Sequence, residues 1–156
     1  MKDEEKASLR ETATQLKLRD VVLLDAKLAR PMGSEAFSYR GEALQEHKRA
    51  VQYGQGDGEI DGRPVTLATF EVELGTRVVK KDVVGDAKKD VIVEIEARFL
   101  VLYEVGQPIR EEAMDLFAKL NAVHIVWPFW RQHVFDLVHR GQLPRLEIPL
   151  LAGTIP

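Results

Sequence analysis

From Val91 to Val105 every odd position is apolar, with Val93, Ile95, Ala97, Phe99, Val101 and Tyr103 between those ends. The even positions begin polar (Glu94, Glu96, Arg98) and finish mixed (Leu100, Leu102, Glu104). A period of two over this length predicts a strand with one buried face and a second that becomes partly apolar toward one end. Residues 65–80 alternate on their even positions, Phe70, Val72, Leu74 and Val78, and predict another strand. A further strand is predicted from Leu16, where Leu18, Val22, Leu24, Ala26 and Leu28 alternate with Arg19, Val21, Leu23, Asp25 and Lys27. It has one strongly apolar face, a second partly apolar one, and a stop at Arg30-Pro31-Met32-Gly33-Ser34. A connection through Phe37 and Tyr39 follows.

Residues 41–54 carry two signals. Glu42-Ala43-Leu44-Gln45-Glu46 favours a helix by propensity, whereas Ala50-Val51-Gln52-Tyr53 favours a strand. Gly54-Gln55-Gly56-Asp57-Gly58 and Asp61-Gly62-Arg63-Pro64 read as turns, and residues 80–90, centred on Gly85-Asp86, as a hairpin connection. Gly56-Asp57-Gly58 is not a phosphate loop, because no GxxxxGK[ST] follows and no helix begins there.

After Gln107-Pro108 the period changes to that of a helix. Ile109, Ala113, Leu116, Phe117 and Leu120 form a stripe, with Glu111 and Glu112 at the start and Lys119 near the end, the order a helix dipole prefers. Asn121 reads as its stop. A second helix is expected to open with Pro128 at its first position, with His139, Arg140, Gly141 and Pro144 as stop signals. Trp127, Trp130, Val134, Leu137 and Val138 share its apolar stripe, while Phe129 and Phe135 project to either side of it. Apolar bulk on three sides of one helix is more than a single core requires, so a second subunit or a transient guest is expected to cover the remainder. Leu146, Ile148 and Leu150 alternate beyond it. At the other end, residues 2–15 carry a thin stripe of Ala7, Leu9 and Ala13 continuing to Leu16, and read as a short helix.

Together these elements predict an α+β fold: a four-stranded antiparallel sheet, two C-terminal helices on one face, and a short N-terminal helix. A single domain over 1–156 divides into a helical extension (1–15), the sheet (16–105), the helices (108–141) and an extended tail (142–156). A chain of 156 residues is long enough to bury about 68–70% of its unfolded surface. Its lack of cysteine removes disulfides, thiolate metal sites and thiol nucleophiles together. The opening MKDEEKASLRE is too charged for a signal peptide, and no apolar run approaches the ~18 residues of a membrane span, so a cytoplasmic protein is expected. A net charge of −3 argues against bulk nucleic-acid binding.

Catalytic chemistry is hard to place on this chain. His133 and His139 are six apart and lie on opposite sides of a helix, and neither His47 nor His124 completes a metal-ligand pattern. Glu94 and Glu96 share one side of a strand with Arg98, as in an ordinary charged face, and no serine sits in a GxSxG elbow. The expectation is no enzyme, no metal and no cofactor.

The C-terminal third carries a more specific signal. Val126-Trp127-Pro128-Phe129-Trp130-Arg131, Val134-Phe135-Asp136-Leu137-Val138, Arg140-Gly141-Gln142-Leu143-Pro144 and Leu146-Glu147-Ile148-Pro149 resemble the signature of the SecB family. That signature is an aromatic–Pro–aromatic turn followed by an Arg, an apolar helix ending in Arg-Gly, then x-x-Pro and an alternating extended tail. The resemblance implies a homotetramer built as a dimer of dimers. It also implies a cytosolic holdase that binds unfolded or precursor polypeptides in apolar grooves without ATP and serves protein export. In the family the grooves form between the first crossover loop, the sheet and the last helix. Carried over by position, they would use Phe37 and Tyr39 from the loop, Val22, Leu24, Val51 and Tyr53 from the sheet, and Trp127, Phe129, Trp130 and Val134 from the helix. Members that hand clients to the SecA motor have an acidic sheet surface and a long C-terminal tail. Here the exposed strand positions mix signs (Arg19, Asp20, Asp25, Lys27, Glu71, Glu73, Arg77) and the sequence stops at Pro156. That departure suits a SecB-like chaperone dedicated to another client, such as an antitoxin.

Overall fold

The computed structural model describes residues 3–81 and 91–150, so the connection expected at Gly85-Asp86 lies outside the described residues. Helix α1 (Asp3–Gln15) runs directly into β1 (Leu16–Ala29), and a one-turn helix α2 (Glu35–Ser38) lies in the crossover to β2 (Ala43–Ile60). Strands β3 (Arg63–Lys80) and β4 (Val91–Val105) complete one antiparallel sheet in the order β1-β4-β3-β2. Helices α3 (Glu111–Phe117) and α4 (Val123–Gly141) follow. Among the described residues, no helix is long and apolar enough to cross a membrane.

The ambiguous stretch 41–54 is strand. Its helical propensity loses to an unbroken ladder with β3, from Ala43 opposite Lys80 to Ile60 opposite Arg63. Only one of the two expected turns exists. Asp61 and Gly62 have φ of 52° and 75°, the pair of positive values that a two-residue type I′ hairpin requires. Gly54 to Gly58 instead lie within β2, paired with Thr69 to Val65. A turn there would duplicate the one at Asp61-Gly62 and lose these pairs. Gly58 is small for a packing reason, because a Cβ would collide with Leu67 Cδ1.

The second correction concerns the helices. There is no break at Asn121, because a π-helical stretch, Ala118–Ala122, joins α3 to α4 without a turn. Pro128 consequently stands inside α4 and not in its first turn. An interior proline costs roughly 3 kcal/mol in a helix. Burial of Ala122, Val123 and Val126 against the sheet, just upstream, offsets that cost. The end of α4 is as expected in position but not in detail: the left-handed residue is Gln142 (φ 48°), not a glycine. Leu143 N donates to Val138 O at 3.0 Å and Gln142 N to His139 O at 3.5 Å, the paired bonds of a Schellman cap.

The core lies between one sheet face and these helices. Phe70, Val72 and Leu74 of β3, and Ile95, Val101 and Tyr103 of β4, meet Met114, Phe117, Val126, Trp130 and Val134. Phe70, Tyr103 and Phe117 form a ring triad with centroids 5.4–5.6 Å apart. The Tyr103 hydroxyl is buried with no partner among the described residues, and burial pushes its pKa up to about 12. The opposite sheet face carries ion pairs of both signs. Lys48 bridges Glu73 (2.9 Å) and Glu96, Arg98 bridges Asp25 and Glu71 (2.7 Å), and Glu104 takes Arg19 and Arg63 (2.8 Å).

Candidate functional site

The crossover from β1 to β2 has to pass from one edge of the sheet to the other, and it arches over a cavity of about 430 Å³. Val78, Ile92 and Val93 line it from the sheet, Phe37 and Tyr39 from the crossover, and Leu143 from the chain beyond α4. Cations hold the two aromatic rings: the Arg30 guanidinium lies 4.8 Å from the Phe37 centroid and Lys80 Nζ 5.2 Å from that of Tyr39. The Tyr39 hydroxyl donates to Glu42 O at 2.7 Å, across a backbone whose Gly41 has no room for a Cβ against that ring. Arg40 donates to Phe37 O at 2.8 Å. Arg30 also donates to Gly141 O, so one side chain ties the crossover to the end of α4.

The ten positions expected to bind polypeptide do not share one surface. Phe37, 58% exposed, and the half-buried Tyr39 do meet, at the crossover cavity. Val22 and Leu24 are exposed on β1, where Val22 pairs with Leu100 on the face away from the helices. Val51 and Tyr53 lie on the helix-covered face near the β2 edge. The Tyr53 ring stacks on Phe70 (6.0 Å) and its hydroxyl reaches Glu111 O at 3.4 Å. Trp127 is half-buried, with its indole N–H donating to Pro149 O at 2.9 Å. Phe129 is 51% exposed, and so is Phe135 at 60%, stacked 4.4 Å from the ring of His139. Trp130 and Val134 are sealed in the core at 1% exposure each. A helical stripe has one centre, and these two occupy it, so they hold α4 on the sheet and offer no surface to a guest.

Several cavity residues were not singled out by the pattern. Ile92 breaks the odd-position rule of β4 as an apolar even residue, which was the available signal. Arg30 and Gly41 gave none, since their roles depend on where the crossover lands. Some charged positions are occupied by one another: the Arg98 guanidinium holds Asp25 below the usual carboxylate range, and Arg19, then Arg63, does the same to Glu104. Burial lowers the pKa of His133 and leaves its Nε2 without a partner among the described residues. Among the described residues no group of three or more His, Asp or Glu could hold a metal ion. The crossover cavity is therefore a concave site where aromatic and aliphatic side chains gather, whereas the hollow across β2, β3 and β4 at Glu46, Lys48, Arg77 and Glu94 is charged.

No family model matches the chain. Over 131 residues it is 23% identical to protein-export protein SecB 1 of Polaromonas naphthalenivorans (strain CJ2), which spans 84% of this chain and 75% of that protein. Among solved structures it is similar to the Mycobacterium tuberculosis Rv1957 SecB-like chaperone in complex with a ChAD peptide from the Rv1956 HigA1 antitoxin. The TM-score is 0.60 at 16% identity, covering 95% of this chain and 99% of that one.

Proposed function

We propose, from the premise that this chain is SecB-like in fold and sequence, that it is a chaperone of the holdase type. It keeps non-native polypeptides unfolded without ATP, in the cytoplasm, for protein export. The observation that carries this reading is the crossover cavity: about 430 Å³, lined by Val78, Ile92, Val93 and Leu143 with Arg30, Arg40 and Gln142 at its walls, and roofed by an exposed phenylalanine. Each aromatic or aliphatic side chain buried in such a site gains about 1.5–3 kcal/mol, and several must act together to offset the ordering of a flexible chain. Phe37 and Tyr39 supply the contacts there. Val22 and Leu24 on β1 and Phe129 on α4 extend the apolar surface beyond one protomer's core. Their cover in a homotetramer, arranged as a dimer of dimers, belongs to the same proposal.

The test is aggregation of a chemically unfolded protein followed by light scattering. Suppression at near-stoichiometric ratios without nucleotide is expected; no suppression at any ratio overturns the proposal. For assembly, a native mass near four times 17.6 kDa is expected, and a protomer mass at micromolar concentration overturns the tetramer.

A second reading is a chaperone dedicated to one client, such as an antitoxin. It is favoured by the ion-paired sheet face, whose carboxylates at 71, 73, 96 and 104 already have cationic partners and leave little net field for a basic motor surface. Recovery from the native host of one defined small partner supports this reading, and recovery of a broad set of precursors supports export.

A further inference from the structure

Beyond the Schellman cap the chain stays on the protomer. Leu143, Leu146 and Ile148 pack on the core, with Arg145, Glu147 and Pro149 exposed between them, so residues 143–150 run back along α4 and reach the edge of β2. Among the described residues, Trp127, Arg131 and Gln45 hold this tail by its main chain. The Trp127 indole donates to Pro149 O at 2.9 Å and Arg131 Nε to Ile148 O at 3.1 Å. Both come from α4, one turn apart, and so face the same way. The Gln45 carboxamide of β2 takes both sides of one residue, donating to Glu147 O at 3.0 Å and accepting from Glu147 N at 3.0 Å. Main-chain bonds, with pockets for alternate side chains, describe recognition of an extended peptide with little regard to its sequence.

We propose that this groove is a second polypeptide-binding site, that residues 142–150 are its resident guest, and that an extended segment of a non-native client displaces them. The inference rests on the holdase reading and adds to it a site and a competitor. The resident is held shallowly: Leu146 and Ile148 are only half-buried and Glu147 is exposed. It is also tethered, which gives it an effective concentration on the order of millimolar. A short apolar peptide competes poorly against that. A long unfolded chain, anchored at the same time in the crossover cavity next to Leu143, meets the tail on equal terms. The strap thus makes the protein select length.

The experiment uses the full chain and a permanently unfolded probe, reduced and carboxymethylated α-lactalbumin. Amide hydrogen exchange at Glu147 is expected to accelerate when the probe binds, with the β3 and β4 amides unchanged. The double substitution Leu146→Ser, Ile148→Ser loosens the tail without touching the groove. It is expected to tighten probe binding roughly three- to tenfold, because the competent fraction rises. Unchanged or slowed exchange at Glu147 with the probe bound overturns the inference. So does weaker or unchanged probe binding by the double variant, since the tail would then be a wall of the site or irrelevant to it. If neither protein binds the probe or suppresses aggregation, the holdase reading itself falls and this inference falls with it.

Discussion

Strands β4 and β1 are hydrogen-bonded neighbours, both rich in valine and leucine, and they meet opposite fates. In β4 no odd position is more than 9% exposed. In β1, Leu18, Val22, Leu23 and Leu24 are all 41–47% exposed. The difference has two physical sources. β4 is a central strand under the helices, whereas β1 is an edge. The β1–β4 register also shifts between Leu18 and Asp20 and again between Leu23 and Asp25. Each bulge reverses which parity faces the core, so Leu16, Val21 and Leu28 touch it in turn. Apolar content thus identifies both strands, but only position in the sheet decides which is core and which is surplus.

The contrast can be broken most forcefully in the core. Ile95→Ala on β4 is expected to cost about 2–5 kcal/mol in a urea titration, the range for a fully buried aliphatic truncation. The paired change on the edge, Val22→Thr with Leu24→Gln, is expected to stay within about 0.5 kcal/mol for each substitution when the titration is run at a concentration where the protomer stands alone. A loss on β1 comparable to that on β4 would erase the distinction. Next in size is Phe37→Ala, where stability is expected to hold while capture of a non-native probe weakens about tenfold, equivalent to roughly 1.4 kcal/mol. Unchanged capture would remove Phe37 from the binding surface.

Smaller effects sharpen the picture. Gln142→Gly relieves a left-handed backbone that costs an L-residue roughly 1–2 kcal/mol, partly offset by glycine's greater entropy when unfolded. A net gain of about 0.5–1 kcal/mol in the same titration is expected. The smallest is electrostatic. Arg19 and Arg63 hold the Glu104 carboxyl below its ordinary range. Their contribution is therefore complete above the unfolded value of about 4.3 and is lost as the pH falls through the folded one. Glu104→Gln is expected to flatten the stability profile on the acid side of that value, and an unaltered acid limb would leave the trio without effect.

How much of this was legible in the sequence follows from the same physics. β4 and β3 could be read because a period of two survives along each, whereas β1 could be read only from its apolar content and its stop at Arg30-Pro31, since its two bulges break the period. The fold class and the SecB-like tail pattern agree with the sheet, the helices and the two similarities found. The stretch 41–54 misled because propensity is a local quantity, while the ladder that makes β2 is built from β3 and from one Asp-Gly turn eighteen residues downstream of Ala43. The helix break at Asn121 was a reasonable expectation that the π-helical stretch made unnecessary. The crossover cavity was half legible: Phe37 and Tyr39 stood out as aromatics in a loop, but the sheet residues beneath them depend on where that loop crosses.

Arg30 has a consequence for the order of events. Its guanidinium stacks on Phe37 and simultaneously hydrogen-bonds the last carbonyl of α4. A visitor that lifts the phenylalanine to enter the cavity disturbs the same cation that secures Gly141, one residue before the strap begins. On the proposed reading, entry at the arch and loosening of the chain that follows α4 would be coupled through this one side chain. The molecule has, in effect, one latch for two doors.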